Sequence, residues 1–335
     1  MIQRISSKGA PRFTLLAASL LLAGQAMAAG KPNETRGETA ACPDLIAAGA
    51  EWEVCDNFAT GNGLPAGDSC DGGPPGAGAN FIDASFGGRD DAFDEGGLWV
   101  NNMQVGGLAT FTLTSASFAA QSIAGLTTQL RVDALSTQPT LRAYLSLSNP
   151  SAAPITVNVD YAINLGSDSE TVIHGSSSGD TLFTAADRWL VTSDGTLTEP
   201  VNTSVLFSGS PSVQPSAVSN TVFSCSGTQG VRATYPVTVP AGATVAIVIF
   251  QSLGIAIAPA ITAAAQFNDI QAGSPLLAGL SPTQTAAIRN IGGGGGVPPV
   301  ATPPIVVPVG GFSSGLLALI LGGIGLLSLG LMRRR

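Results

Sequence analysis

A strict alternation of apolar and polar residues constrains this chain more than any other feature. Leu141, Ala143, Leu145 and Leu147 interleave with Arg142, Tyr144, Ser146 and Ser148; Val157, Val159, Tyr161 and Ile163 interleave with Asn158, Asp160, Ala162 and Asn164. Successive side chains of a strand point to opposite faces, so each run reads as a strand with one dry and one wet face. The link between them, Asn149-Pro150-Ser151-Ala152-Ala153-Pro154, is made of turn residues and predicts a hairpin with a loop of moderate length. Further strands are expected at 99–105, 109–115, 123–133, 171–174, 181–184, 188–192, 203–207, 218–224, 231–239 and 243–252. The run Thr244 to Phe250 is apolar without alternation, which predicts a central strand buried on both faces. A series of about a dozen short strands broken by turn residues predicts an all-β fold, a β-sandwich over residues 80–255.

After Gly254 the period changes. Ala256 to Gln271 is Ala-rich with helical spacing, and a second helix is announced by Ser281 as cap, Pro282 at the first position and Gln284 three residues after the cap. This helical segment, 256–291, is expected to pack on one end of the sandwich or to bridge to the Gly/Pro-rich linker at 292–311. At the other end, residues 29–79 are rich in Gly, Pro and Asp and read as a loop-rich front segment that orders itself poorly without help. Three of the four cysteines lie there. Four thiols allow three complete pairings, and the expected one is Cys42 with Cys55 and Cys70 with Cys225, the second tying the front segment to the body.

The ends give an address. Residues 1–28 start with Arg4, Lys8 and Arg12, continue through an apolar run, and reach Ala26-Met27-Ala28, the small-x-small pattern of a signal peptide cut between Ala28 and Ala29. Phe312 to Met332 contains no charge and is long enough, at about 1.5 Å per residue, to span one bilayer as a transmembrane helix. Arg333, Arg334 and Arg335 follow it and would stay on the cytoplasmic side, leaving the body outside. A short motif, a hydrophobic helix and an Arg cluster together resemble the C-terminal sorting signals of bacterial surface proteins processed by exosortases or rhombosortases. Gly310-Gly311 is similar to the Gly-Gly tails of the rhombosortase class. Pro304-Ile305-Val306-Val307-Pro308 sits where exosortase tails of the Ile-Pro-Thr-Leu type carry their motif, with Val306 in place of the Pro after Ile305. The resemblance implies an inner-membrane-anchored precursor, a sorting protease or transpeptidase as partner, and a final place at the cell surface or outside the cell.

Charge narrows the partners. Between the processed ends eight basic residues stand against all twenty-two acids, a net charge of −14, and Lys31 is the only lysine. Such a field repels phosphate backbones, which excludes nucleic acid. With a single histidine, His174, no Ser-His-Asp or Cys-His arrangement has room to form except beside Gly175-Ser176-Ser177-Ser178-Gly179, and there the G-x-S-x-G elbow lacks the helix and the downstream histidine that it needs. The acidic clusters suggest calcium instead: Asp90, Asp91 and Asp94 in one place, Asp168 and Asp180 around Gly-rich turns in another, all without EF-hand spacing. Paired carboxylates also serve glycoside hydrolysis, but Trp99 and Trp189 occupy strand-like positions suited to a core, and few other aromatics are offered to a sugar. The sequence therefore points to a non-catalytic, exported, surface-anchored structural or adhesive protein that contacts a glycan or matrix. A carbohydrate-binding or carbohydrate-cleaving ectodomain is the alternative.

Overall fold

The computed structural model describes residues 42–59, 77–223 and 228–292. The residues of the expected signal peptide and its Ala28/Ala29 cut, of the expected Cys70–Cys225 pair, and of the expected sorting motif and transmembrane segment at 312–335 lie outside the described residues. Among those described, no helix is long and apolar enough to cross a membrane.

The body is mostly strand, laid in layers. A front sheet joins β1 (Asp44–Ala47), β2 (Ala50–Ala59) and β3 (Ala77–Phe86), antiparallel in that order. A five-stranded sheet is built from β4 (Phe93–Val100), β5 (Met103–Gln104), β11 (Ile155–Leu165), β15 (Ala217–Ser219) and β16 (Gly230–Val239), in the order β15-β16-β11-β4-β5. A nine-stranded sheet takes β6 (Ala109–Phe111), β7 (Ser115–Phe118), β8 (Gln121–Ile123), β9 (Leu126–Ala134), β10 (Thr140–Ser148), β12 (Val172–Ser176), β13 (Trp189–Ser193), β14 (Val201–Val205) and β17 (Thr244–Gly254). Its order is β12-β13-β14-β17-β10-β9-β7-β6, with β8 beside β9.

The expected hairpin between the two alternating runs does not form. β10 pairs with β9 and β17, whereas β11 pairs with β16 and β4 in the other sheet. Leu141, Ala143, Leu145 and Leu147 face Val157, Val159, Tyr161 and Ile163 across one shared core, so alternation alone fits an arch between sheets as well as it fits a hairpin. The crossing is made by Asn149: its Nδ2 donates to the carbonyls of Ala153 (2.8 Å) and Val239 (2.9 Å), and its Oδ1 accepts from Ser151 N–H (2.9 Å).

The "wet" face of β10 is dry as well. Tyr144, Trp189, Val191, Val248 and Phe250 form a second core on the outer side of the nine-stranded sheet. Over it lie α1 (Ile257–Ala264), single turns at Ala265–Asn268 and Pro275–Leu277, and α2 (Pro282–Ala287), contributing Ala260, Phe267, Leu276 and Ile288. The helical segment thus covers a sheet face and is not confined to one end of the sandwich. That explains β17, which has apolar side chains on both faces because both are covered. The cap of α2 is as read from sequence: Gln284 N–H donates to Ser281 Oγ (3.2 Å), and Ser281 N–H to Gln284 Oε1 (2.9 Å).

The front segment also departs from its loop-rich reading. Leu45 and Ala47, then Trp52 and Val54, alternate inward around a two-residue turn in which Ala48 (φ 52°) and Gly49 (φ 78°) both adopt the left-handed conformation of a tight hairpin. Trp52 stacks on Phe93 with ring centroids 6.1 Å apart. The Cys42–Cys55 disulfide, with Cα atoms 4.0 Å apart, closes this hairpin as expected. The strand expected at 181–184 is absent, because side chains claim its backbone donors: Leu182 N–H bonds Asp180 Oδ1 (3.0 Å) and Thr184 N–H bonds Asp187 Oδ2 (2.9 Å).

Candidate functional site

The lone histidine lies with several serines and aspartates at the β12 edge of the large sheet. β12 and β13 are antiparallel neighbours whose register slips between Ile173 and Gly175, so His174 is the extra residue of a bulge. The bulge turns its ring toward β13, where Nε2 lies 2.8 Å from Ser193 Oγ. Burial lowers the His174 pKa, and the nearby Asp194 charge works the other way. Ser193 is only 2% exposed and also accepts from Gly195 N–H at 3.2 Å, which leaves its hydroxyl closed to any substrate. Asp194 caps its own turn. Burial raises its pKa, but bonds from Thr196, Thr198 and Leu197 outweigh this and hold it down to about 2.

The G-x-S-x-G stretch belongs to the same hairpin. Ser177 Oγ accepts from Arg188 N–H (2.8 Å), and its own N–H reaches Trp189 O (3.1 Å), so it closes the loop between two antiparallel strands. A nucleophile elbow needs a helix at that point. Asp180 Oδ1 takes Ser176 Oγ (3.1 Å) and Ser178 Oγ (3.0 Å), and Asp187 takes Ser178 N–H (3.2 Å) and Thr184. Burial alone would raise the Asp187 pKa; these bonds lower it.

No three of the five carboxylates expected for calcium lie within mutual ligand distance. Asp90 and Asp91 sit between β3 and β4, Asp94 lies in β4, Asp168 heads a single turn after β11 and accepts from Gln229 Nε2 (3.3 Å), and Asp180 is in the β12–β13 loop. Among the described residues, the only three metal-capable side chains within mutual ligand distance are Cys42, Glu53 and Cys55, two of them spent in the disulfide.

Among the carboxyl groups with a clear shift, the one pushed furthest is one that sequence reasoning passed over. Asp83 on β3 is opposite Glu53 on β2, and the β3–β4 turn brings Asp90 and Asp91 near. Burial first, then the like charges of Asp90, Asp91 and Glu53, push its pKa up to about 7 against a counteracting bond from Ala84 N–H. The cross-strand Glu53–Asp83 pair is legible only once 50–59 is recognised as a strand. Because the folded state holds this proton between about pH 4 and pH 7 while the unfolded chain has released it, Asp83 costs stability as pH rises through that window. Asp83→Asn is therefore expected to raise stability by ~1–2 kcal/mol at pH 8, screened by water at its partly exposed edge, and by almost nothing at pH 4. Thermal melts of both proteins at the two pH values check this; an equal gain at both would show that charge is not the cause.

No tryptophan or tyrosine offers an exposed platform to a sugar. Trp52, Trp99, Trp189, Tyr144, Tyr161 and Tyr235, all the chain's tryptophans and tyrosines, are at most 5% exposed. Trp189 donates through Nε1 to Asn268 Oδ1 (2.9 Å). An open groove of about 550 Å³ on the helical segment is lined by Pro275, Leu277, Leu280, Pro282 and other small or apolar residues, with no titratable group.

No family model matches the chain, and no curated protein matches it. Solved structures show partial likeness. A heparinase III aligns over 62% of this chain and 36% of its own length at 11% identity and TM-score 0.35. A putative kojibiose phosphorylase from the human microbiome aligns over 67% and 33% at 8% identity and TM-score 0.35. A putative aldose 1-epimerase from Klebsiella pneumoniae aligns over 68% and 94% at 8% identity and TM-score 0.34. The chain thus spans about a third of the first two, and TM-scores at this level leave its fold and chemistry to be argued from its own residues.

Proposed function

We propose that this chain is an exported, envelope-tethered β-sandwich module with a structural or adhesive role and no catalysis of its own. The observation that carries this reading is that the residues capable of chemistry around the lone histidine are committed to holding loops: Ser177, Ser193, Asp187 and Asp194 each bond the backbone of their own hairpins. The tripartite C-terminal tail supplies the address. Mass spectrometry of the mature protein from the producing cells tests it: a C-terminus between Gly292 and Gly315 is the expected product of a sorting enzyme, and an intact Arg335 on a protein that still carries residues 1–28 would end the reading.

A second reading is a carbohydrate-binding or carbohydrate-cleaving ectodomain. One observation favours it: Asp180 and Ser178 are exposed side by side on the β12–β13 loop, a carboxylate and hydroxyl of the kind that bond sugar hydroxyls. Several of the partly similar structures are also named as carbohydrate enzymes, although likeness at that level carries no weight. A glycan array probed with the secreted protein separates the two. Selective binding lost in Asp180→Ala supports the second reading, and an empty array supports the first.

A further inference from the structure

The core between the two large sheets contains a polar seam. On β13 and β14, Val191, Val201 and Val205 point outward to the helical segment while Leu190 and Leu206 point inward, so Thr192, Asn202 and Ser204 face the inner core. Thr192 and Asn202 are direct cross-strand partners, and Asn202 is also opposite Leu253, one position beyond Ser252 and two beyond Gln251. Gln251 bonds Ser204 Oγ (3.1 Å) and the Tyr161 hydroxyl, which reaches in from β11. All five side chains are at most 3% exposed.

Ser204, Gln251 and Tyr161 satisfy one another. Thr192 Oγ1 and both amide atoms of Asn202 are buried without a protein partner. An orphaned polar atom in a core costs about as much as a lost hydrogen bond, and three on two adjacent residues require a common partner. That partner must be neutral, since no group here carries charge and burial pushes the Tyr161 pKa well above the phenol range. It must both donate and accept, because Asn202 offers an N–H and a C=O and Thr192 a hydroxyl that does either. It must be small, because Thr192 and Asn202 are buried in the core that also holds Leu190 and Leu253.

We propose that Thr192 and Asn202 form an internal hydration site, holding ordered water inside the sandwich next to the Ser204–Gln251–Tyr161 network. This adds to the display role and does not depend on it. A high-resolution crystal structure of the secreted protein tests it, with solvent density expected about 2.7–3.2 Å from both Thr192 Oγ1 and the Asn202 amide. Density lost in a Thr192→Val/Asn202→Leu protein that melts at or above the parent temperature supports the site, because both polar partners leave together. A dry core in the parent, with the Asn202 amide bonded to protein groups, overturns it.

Discussion

Alanine at position 142 is expected to lower the unfolding free energy by ~3–5 kcal/mol, the cost of removing one member of a buried ion pair. Arg142 sits on β10 beneath the helical segment and is wholly buried. Its Nη2 donates to Asp133 Oδ2 at 2.7 Å, and its Nη1 to the carbonyls of Leu276 (2.8 Å) and Ala278 (2.9 Å). One guanidinium therefore joins two strands to the turn that precedes α2. Without it, Asp133 keeps only Arg131, whose Nε donates to Oδ1 at 2.8 Å, and two carbonyls lose their donor. Urea titration gives the stability change, and limited proteolysis should cut first at 272–281. Arg142→Met combined with Asp133→Leu is expected to recover the part of the loss that comes from unpaired charge, while the Leu276 and Ala278 carbonyls still lack their donor. If the two single losses simply add, the ion pair is not their source.

Asn290→Ala is expected to cost ~3 kcal/mol, or roughly 6–12 °C in melting temperature for a body of this size. The first half of β17 has no strand on its β14 side, because β14 pairs only with Val201↔Gly254 through Val205↔Phe250. Residues 288–291 fill that side, with parallel bridges from Ile288 to Ala246 and from Ile291 to Ser208. Asn290 then acts as a strand in miniature: its Oδ1 accepts Val248 N–H (2.9 Å), and its Nδ2 donates to Val248 O (2.6 Å) and Leu206 O (2.8 Å). Alanine orphans all three backbone groups. Hydrogen exchange at the Val248 amide should accelerate more than at Ile247; uniform acceleration would mean that the effect is global and not local to this side chain.

Much of this architecture was legible in the chain. The strand periods, the doubly buried β17, the capping box at Ser281 and the Cys42–Cys55 pair all rest on local rules that the fold obeys. What escaped was the partner of each strand. Leu141 to Leu147 and Val157 to Ile163 carry the same pattern whether they pair or face each other, and only the crossing at Asn149 decides. Arg142 and Tyr144 read as solvent-facing because the residues that cover them come more than 130 positions later. The hairpin at 44–59 was hidden by the Gly, Pro and Asp around it, although Leu45, Ala47, Trp52 and Val54 alternate. With it went the Glu53–Asp83 pairing. The Asp180 and Asp187 loop misled in the opposite sense: its β-prone residues lost their donors to neighbouring carboxylates.

Gly292 lies so close to Ser210 that a side chain there would meet its backbone nitrogen at 2.5 Å, and its own N–H donates to Ser208 O at 2.6 Å. Whatever pulls on the polypeptide beyond this point therefore pulls on the spine of the molecule. Traction applied at Gly292 would enter through residues 288–291, whose bridges run to Ala246 of β17 and to Ser208 just past β14, and so would be shared between two neighbouring strands of the nine-stranded sheet.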